Sequence, residues 1–364
     1  MKNPLKQIGF LSGRKSLVEQ AADALCAALQ KGVWTGMLPA ERLLCRMLGV
    51  SRPVLRRAIH RVEEKGWVRV SRGHPARILR SPCGAGEVAG QKQVVMLQRR
   101  PVRDSSPWAL MIRDEIRREL AVRGCRLEQV VDLRLNRKRP QTVLRQLELQ
   151  HQPARWLLLS LPFSAQRWFQ EQKKPAVVMG HVFPGIELPS VDYDWRAVAR
   201  HAAGMFLGLG HLRAVFLTRS GAAGELAAAE GFEEAFRQAP KTTFHIIRHS
   251  GDVDEIRLYL KSLFIPVSRP TAVLVSHAMD VLVVRDYLNE AGWRVPGDVS
   301  LMTMGEENFL ERIRPTLARY EVDSLKLARA ACRLLERPDE KRRTIRLIAR
   351  FRRGETLGSP GKDF

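Results

Sequence analysis

Six short apolar runs, set between longer segments with apolar residues at helical spacing, constrain the fold of this chain most. They are "VVML", "WLLLS", "AVVMG", "AVFLT", "FHII" and "AVLVS". These runs are continuous, where a strand with one wet face would alternate apolar and polar residues. Continuous runs fit parallel strands covered on both faces, and the intervening amphipathic segments supply the covering helices. From Lys92 to about Arg353 the pattern predicts an α/β body of repeated βαβ units. About 260 residues are more than one core comfortably serves, so two lobes are expected.

The beginning of the chain reads differently. Apolar residues recur at helical spacing from Leu17 to Leu29, with Gly32 as a stop. After Pro39, "AERLLCRMLG" reads as a short helix closed by Gly49, and Ser51 can cap a third helix through Lys65, broken by Gly66. "WVRV" and "ARIL" flank a turn at Ser71–Gly73 and read as a hairpin. Next comes "SPCGAGEVAGQK", rich in glycine and small residues, which is linker composition. The expected organisation is a head over 1–80, a linker over 81–91 and a body over 92–364.

Charge separates head from body. The chain has 61 Lys and Arg against 38 Asp and Glu, a net of +23. Residues 1–80 hold 16 and 5 of these, a net of +11, which leaves 45 and 33, a net of +12, for 81–364. Such an excess points to nucleic acid as partner, with an anionic membrane surface second. No run approaches the ~18 apolar residues of a membrane span. The N-terminus lacks the apolar core of a signal peptide, so a cytoplasmic protein is expected. Five widely spaced cysteines, without a CxxC pair, suggest neither a metal site nor disulfides, and no cofactor is expected. GxSxG, P-loop and HExxH motifs are absent, and "GLG" at Gly208–Gly210 follows a helix, the wrong order for a dinucleotide turn. An enzyme is not expected.

On a helical wheel, Leu55, Ala58, Ile59 and Val62 share one arc of the third helix. Arg52, Arg56 and His60 lie on a flank at spacing four, with Arg57 and Arg61 further round. One face thus suits a core and the other suits negative charge, either as a solvated face or as a nucleic-acid surface. Arginine can donate two parallel hydrogen bonds to guanine or pair with phosphate.

The stretch "LPAERLLCRMLGVSRPVLRRAIHRVEEKGWVRVSRGHPARIL" resembles the winged helix-turn-helix of the GntR family of bacterial regulators. The likeness spans roughly residues 14–80. It implies DNA contacts from Arg42, Ser51, Arg52, Arg56, Arg72 and Gly73: Arg42 and Ser51 on phosphate, Arg52 and Arg56 on bases, and Gly73 at the wing tip. Pro53 and Val54 stand where that family usually has hydroxyl residues, which implies a different operator sequence.

From Lys92 to Gly354 the chain resembles the effector domain of the LacI/GalR family, itself similar to periplasmic sugar-binding proteins. The likeness is carried by Asp194, Gly210-His211, Gly231-Phe232, "GWRVPGDVS" and "RPTLARYEVD". It implies two α/β lobes, a ligand cleft between them and a homodimer reading a near-palindromic DNA site, as in arabinose-repressor type regulators. Trp108, Asp194 and His277 are the ligand-binding candidates. Several polar positions of the family are changed: Ala228, Ala278, Gly305 and Gly180-His181 replace them. Three readings of the cleft follow: a sugar or glycoside stacked on Trp108, a non-sugar ligand, or no small ligand. The resemblance implies a ligand-modulated repressor. The alternative is a ligand-independent dimeric regulator whose large domain serves only dimerisation or protein contacts.

Overall fold

The computed structural model describes residues 16–30, 34, 37–71, 74–79, 92–99, 107–151, 155–265, 269–336 and 343–361. The chain divides into two compact units, Met1–Gly90 and Gln91–Phe364. The expected linker, 81–91, lies outside the described residues.

The first unit holds α1 (Leu17–Gln30), α2 (Glu41–Leu48), α3 (Arg52–Glu64) and a hairpin of β1 (Val68–Ser71) and β2 (His74–Ile78). Ser16 and Glu19 form a reciprocal cap on α1: the Glu19 N–H donates to Ser16 Oγ at 3.3 Å and the Ser16 N–H to Glu19 Oε2 at 2.9 Å. Gly49 ends α2 in the left-handed conformation, at φ 67°. Leu25, Leu29, Leu44, Leu55, Ala58 and Val62 interlock into one core. Ser51 stands at the N-cap of α3, but its hydroxyl makes no capping bond. An N-cap side chain accepts from the second or third helical N–H, and Pro53 has removed the nearer one.

The second unit has two six-stranded sheets. In one, β3 (Lys92–Gln98), β4 (Cys125–Val131), β5 (Arg155–Leu159), β6 (Ala176–Met179), β7 (Ser190–Tyr193) and β13 (Thr344–Leu347) are ordered β13-β7-β6-β5-β3-β4, all parallel. In the other, β8 (Arg213–Arg219), β9 (Thr243–His249), β10 (Ala272–Val275), β11 (Ser300–Thr303), β12 (Ala318–Glu321) and β14 (Arg350–Arg352) are ordered β14-β12-β11-β10-β8-β9. Only β14, paired with β12, runs antiparallel there.

Helices cover both faces of each sheet. In the first lobe, α4 (Pro107–Val122) and α11 (Ser324–Glu336) oppose α5 (Gln141–Gln150) and α6 (Phe163–Glu171). In the second, α7 (Trp195–Gly208) and α8 (Ala223–Arg237) oppose α9 (Val253–Leu263) and α10 (Ala278–Glu290). Central strands are buried throughout, as their unbroken apolar sequence requires. "FHII" departs from that expectation. It lies in β9, an edge strand whose burial alternates because one side has no neighbouring strand.

The chain passes between the lobes three times: from β7 to α7, from β12 to α11 and from β13 to β14. Tyr193 ties the first two crossings together. Its hydroxyl donates to the Asp323 carbonyl at 2.8 Å and accepts the Asp323 N–H at 2.5 Å. Burial pushes this phenol up to about 12, so it stays neutral and can do both. The Asp194 N–H, donating to the Leu347 carbonyl at 2.9 Å, ties in the third crossing.

Candidate nucleic-acid interface and ligand cleft

The wheel of α3 sorts in space as its sequence does. Leu55, Ala58, Ile59 and Val62 are buried, while Arg52, Arg56, Arg57, His60 and Arg61 are exposed. The arginines differ in what holds them. Arg61 pairs with Glu19 of α1 at 2.8 Å, and with Ser16 it holds the Glu19 carboxyl down to about 2. Arg56 forms a two-pronged bond with Glu41 at the start of α2: Nε to Oε1 at 3.0 Å and Nη2 to Oε2 at 3.1 Å. Arg42, Arg52 and Arg57 are exposed and carry no ion pair among the described residues. Ser51 is exposed at the N-terminus of α3. Glu63 anchors the hairpin to α3 by accepting the Val70 N–H at 2.6 Å. Arg72 and Gly73 lie outside the described residues.

In the second unit each sheet reverses its strand order once, between β3 and β5 in one lobe and between β8 and β10 in the other. Open α/β sheets bind ligands beyond the carboxyl ends of strands at such points. A cavity of about 610 Å³ lies there, reached by Gln98 and Ser160 from one lobe and by Arg219 and His277 from the other. That volume falls within the usual range for a small-molecule site.

Most charged groups on the cavity wall are matched within the protein. Arg219 grips Asp280 with bonds of 3.0 and 2.7 Å. His277 meets Glu225 at 2.9 Å. Burial pushes the Glu225 carboxyl up, but His277 and Thr218 outweigh it and hold it down to about 2. His181 meets Asp192 at 2.8 Å, and the Trp195 indole N–H donates to the same carboxylate at 3.1 Å. Among the described residues two hydrogen bonds join the lobes across the cleft: Arg99 donates to the Gly221 carbonyl at 3.3 Å, and the Trp108 N–H donates to Glu307 at 3.4 Å. Gln98 Nε2, Trp108 Nε1 and Glu306 Oε2 are buried without a hydrogen-bond partner among the described residues.

Residues 17–78 match the family model of bacterial regulatory proteins, gntR family, and residues 203–356 match that of the periplasmic binding protein-like domain. This chain joins a gntR-type head to a periplasmic-binding-protein-like body. Neither family is a family of enzymes. Solved structures similar to the body include a transcription regulator like protein from Staphylococcus haemolyticus (17% identity, TM-score 0.62, covering 74% of this chain and 100% of that one). A regulatory protein of the LacI family from Chloroflexus aggregans aligns at 18% identity and TM-score 0.63, over 73% of this chain and 98% of its own. A LacI family transcriptional regulator from Enterococcus faecium with bound ribose aligns at 17% identity and TM-score 0.58, over 74% of this chain and 99% of that one. At such identities the likeness carries the fold of the body. No curated protein matches the chain.

Within this periplasmic-binding-protein-like body, Trp108 and His277 line the cavity. Asp194 is placed elsewhere: its carboxylate caps α7, accepting the Ala197 N–H at 3.0 Å, and Asp192 is the aspartate on the cavity wall. β7 ends at Tyr193, so Asp194 already belongs to the helix start. Gly305 leaves no room for a side chain, since a Cβ there would lie 2.5 Å from the Ala278 nitrogen. His211 of the Gly-His turn is 1% exposed and is bonded to Thr271, Ser300 and the Gly358 carbonyl, a structural role. Asp192, Glu225, Glu306 and Glu307 are wall residues that the sequence alone did not single out. Among the described residues no cluster of His, Cys, Asp and Glu could hold a metal, and no helix is long and apolar enough to cross a membrane.

Proposed function

We propose that this protein is a transcription regulator whose operator binding responds to a small ligand in the cleft of its body. The carrying observation is the exposed basic face of α3 on a firmly packed gntR-type head. In this reading α3 lies in the major groove. Arg52 and Arg56 read base edges, Arg42 and Ser51 hold phosphates, and Arg72 with Gly73 forms the wing contact. The protein acts in the cytoplasm as a homodimeric repressor on a near-palindromic site. Its ligand is a sugar or glycoside meeting Trp108, Asp192 and His277. Ribose in the Enterococcus faecium structure supports a carbohydrate there. A ligand shifts such an equilibrium by its unequal affinity for two lobe arrangements.

The test is selection from randomised duplexes with purified protein. An enriched inverted repeat with half-sites about one helical turn apart, bound more weakly as salt rises, is expected. No sequence preference, with or without sugars present, would refute the proposal. The matched pairs on the cavity wall favour one second reading, a regulator without a small ligand. Thermal-shift measurements separate the two, because a ligand at a hundredfold excess over its Kd adds about 2.7 kcal/mol.

A further inference from the structure

One corner of the cleft is acidic, although the chain carries +23 overall. Beside Trp108 the main cavity shares a wall with a second one of about 240 Å³. Trp108, Glu306 and Glu307 line both, and Glu321 lines the second. No Lys, Arg or His among the described residues lines this second cavity.

Two guanidinium groups serve the acids around it. Arg319, fully buried, pairs with Glu311 and lies 3.7 Å from both Glu306 and Glu321. Arg352 pairs with Glu311 at 3.0 Å and with Glu321 at 2.8 Å. Among the described residues Glu307 has no cation: it is 6% exposed and accepts only the Trp108 N–H. Glu306 keeps one buried oxygen without a hydrogen bond, and burial pushes its carboxyl up. Among the described residues four carboxylates thus share two cations, and Glu307, which neither cation reaches, faces both cavities. A buried carboxylate is costly unless a cation or hydrogen-bond donors match it. The Trp108 indole adds an aromatic surface of the kind that attracts cations.

A second, independent observation lies on the other lobe. Gln98 lines the main cavity, is 6% exposed, and its side-chain nitrogen has no partner among the described residues. It lacks an acceptor oxygen, just as Glu307 lacks a cation among the described residues. One molecule carrying an ammonium group and hydroxyls supplies both. The acids paired to His181 and His277 are already matched and make no such demand.

We infer that the cleft takes a polyhydroxylated amine, an amino sugar, with its ammonium group at Glu306 and Glu307 beside Trp108 and ring hydroxyls toward Gln98. This rests on the reading of the cleft as the ligand site.

The test is titration calorimetry on the full-length protein with D-glucosamine and D-galactosamine. D-glucose, D-galactose and N-acetyl-D-glucosamine, which lack the positive charge, are the comparison. The amines are expected to bind at least tenfold more tightly than the neutral sugars. Glu306→Gln and Glu307→Gln are each expected to weaken amine binding about tenfold and to change the binding of neutral sugars by no more than about threefold. Glu307 also holds the start of α4, so Glu306→Gln carries the test if Glu307→Gln lowers the melting temperature. Equal binding of neutral sugars, or amine binding untouched by both variants, overturns the inference and leaves a ligand-gated regulator standing. No binding by either amine also overturns it. Silence from the neutral sugars as well counts against the ligand reading itself.

Discussion

Arg56 is a recognition-helix arginine with one edge already occupied. Glu41 takes its Nε and Nη2, so the side chain is fixed in direction while it remains exposed. A long side chain held by a neighbour loses less freedom when it meets a base. Arg52 has no such partner among the described residues, so its ordering falls entirely on the DNA. Replacing Arg52 or Arg56 by Ala is expected to cost about 1–3 kcal/mol on the selected operator and to relax preference at one base pair. Anisotropy titrations on operator and mismatched duplexes read both effects, and a variant that binds like the parent removes its arginine from base reading. Glu41→Gln keeps the size of the side chain and removes its charge. It is expected to blunt discrimination at the Arg56 base pair while the operator is still bound. Unchanged discrimination would show that the Glu41 contact does not orient Arg56.

The α7–α8 pair shows what the sequence made legible at the scale of elements and what it hid. Gly231 and Phe232 stood out as a landmark, yet their reason is spatial. A Cβ on Gly231 would sit 2.1 Å from the Arg196 carbonyl, so a bare backbone is what lets the two helices approach. Gly231→Ala is therefore expected to destabilise the body by about 1–3 kcal/mol, the usual cost of overpacking. Chemical denaturation measures it, and a loss within error would mean that the helices part freely. The central strands were legible because burial on both faces leaves an unbroken apolar run. Edge strands β4 and β9 were less so, since a strand with one open side carries a mixed pattern. The head was legible down to Gly49 and the hairpin, because caps and breakers act locally. The cleft was not. Asp192 and Asp194 differ only in which side of a strand end they fall on, and the shortage of cations around Glu306 depends on residues far apart in sequence.

Each of the two units carries its own core, and the body holds two buried imidazoles that bear on its response to acid. Burial lowers the pKa of His211 and of His249. The unfolded chain therefore takes up these protons first. Stability is full above the ordinary imidazole range near ~6.5 and falls as pH drops through it, until the folded form protonates as well. The melting temperature of the body is expected to fall between about pH 7.5 and pH 5.5, and His211→Gln to flatten that slope. A slope unchanged by the substitution would assign the acid response to other groups. The three passages between lobes have a consequence for what can be removed. β13 closes the edge of one sheet and β14 that of the other, and both come from the last twenty-odd residues. A premature stop late in the gene would leave both lobes damaged together, and no single proteolytic cut releases either lobe whole.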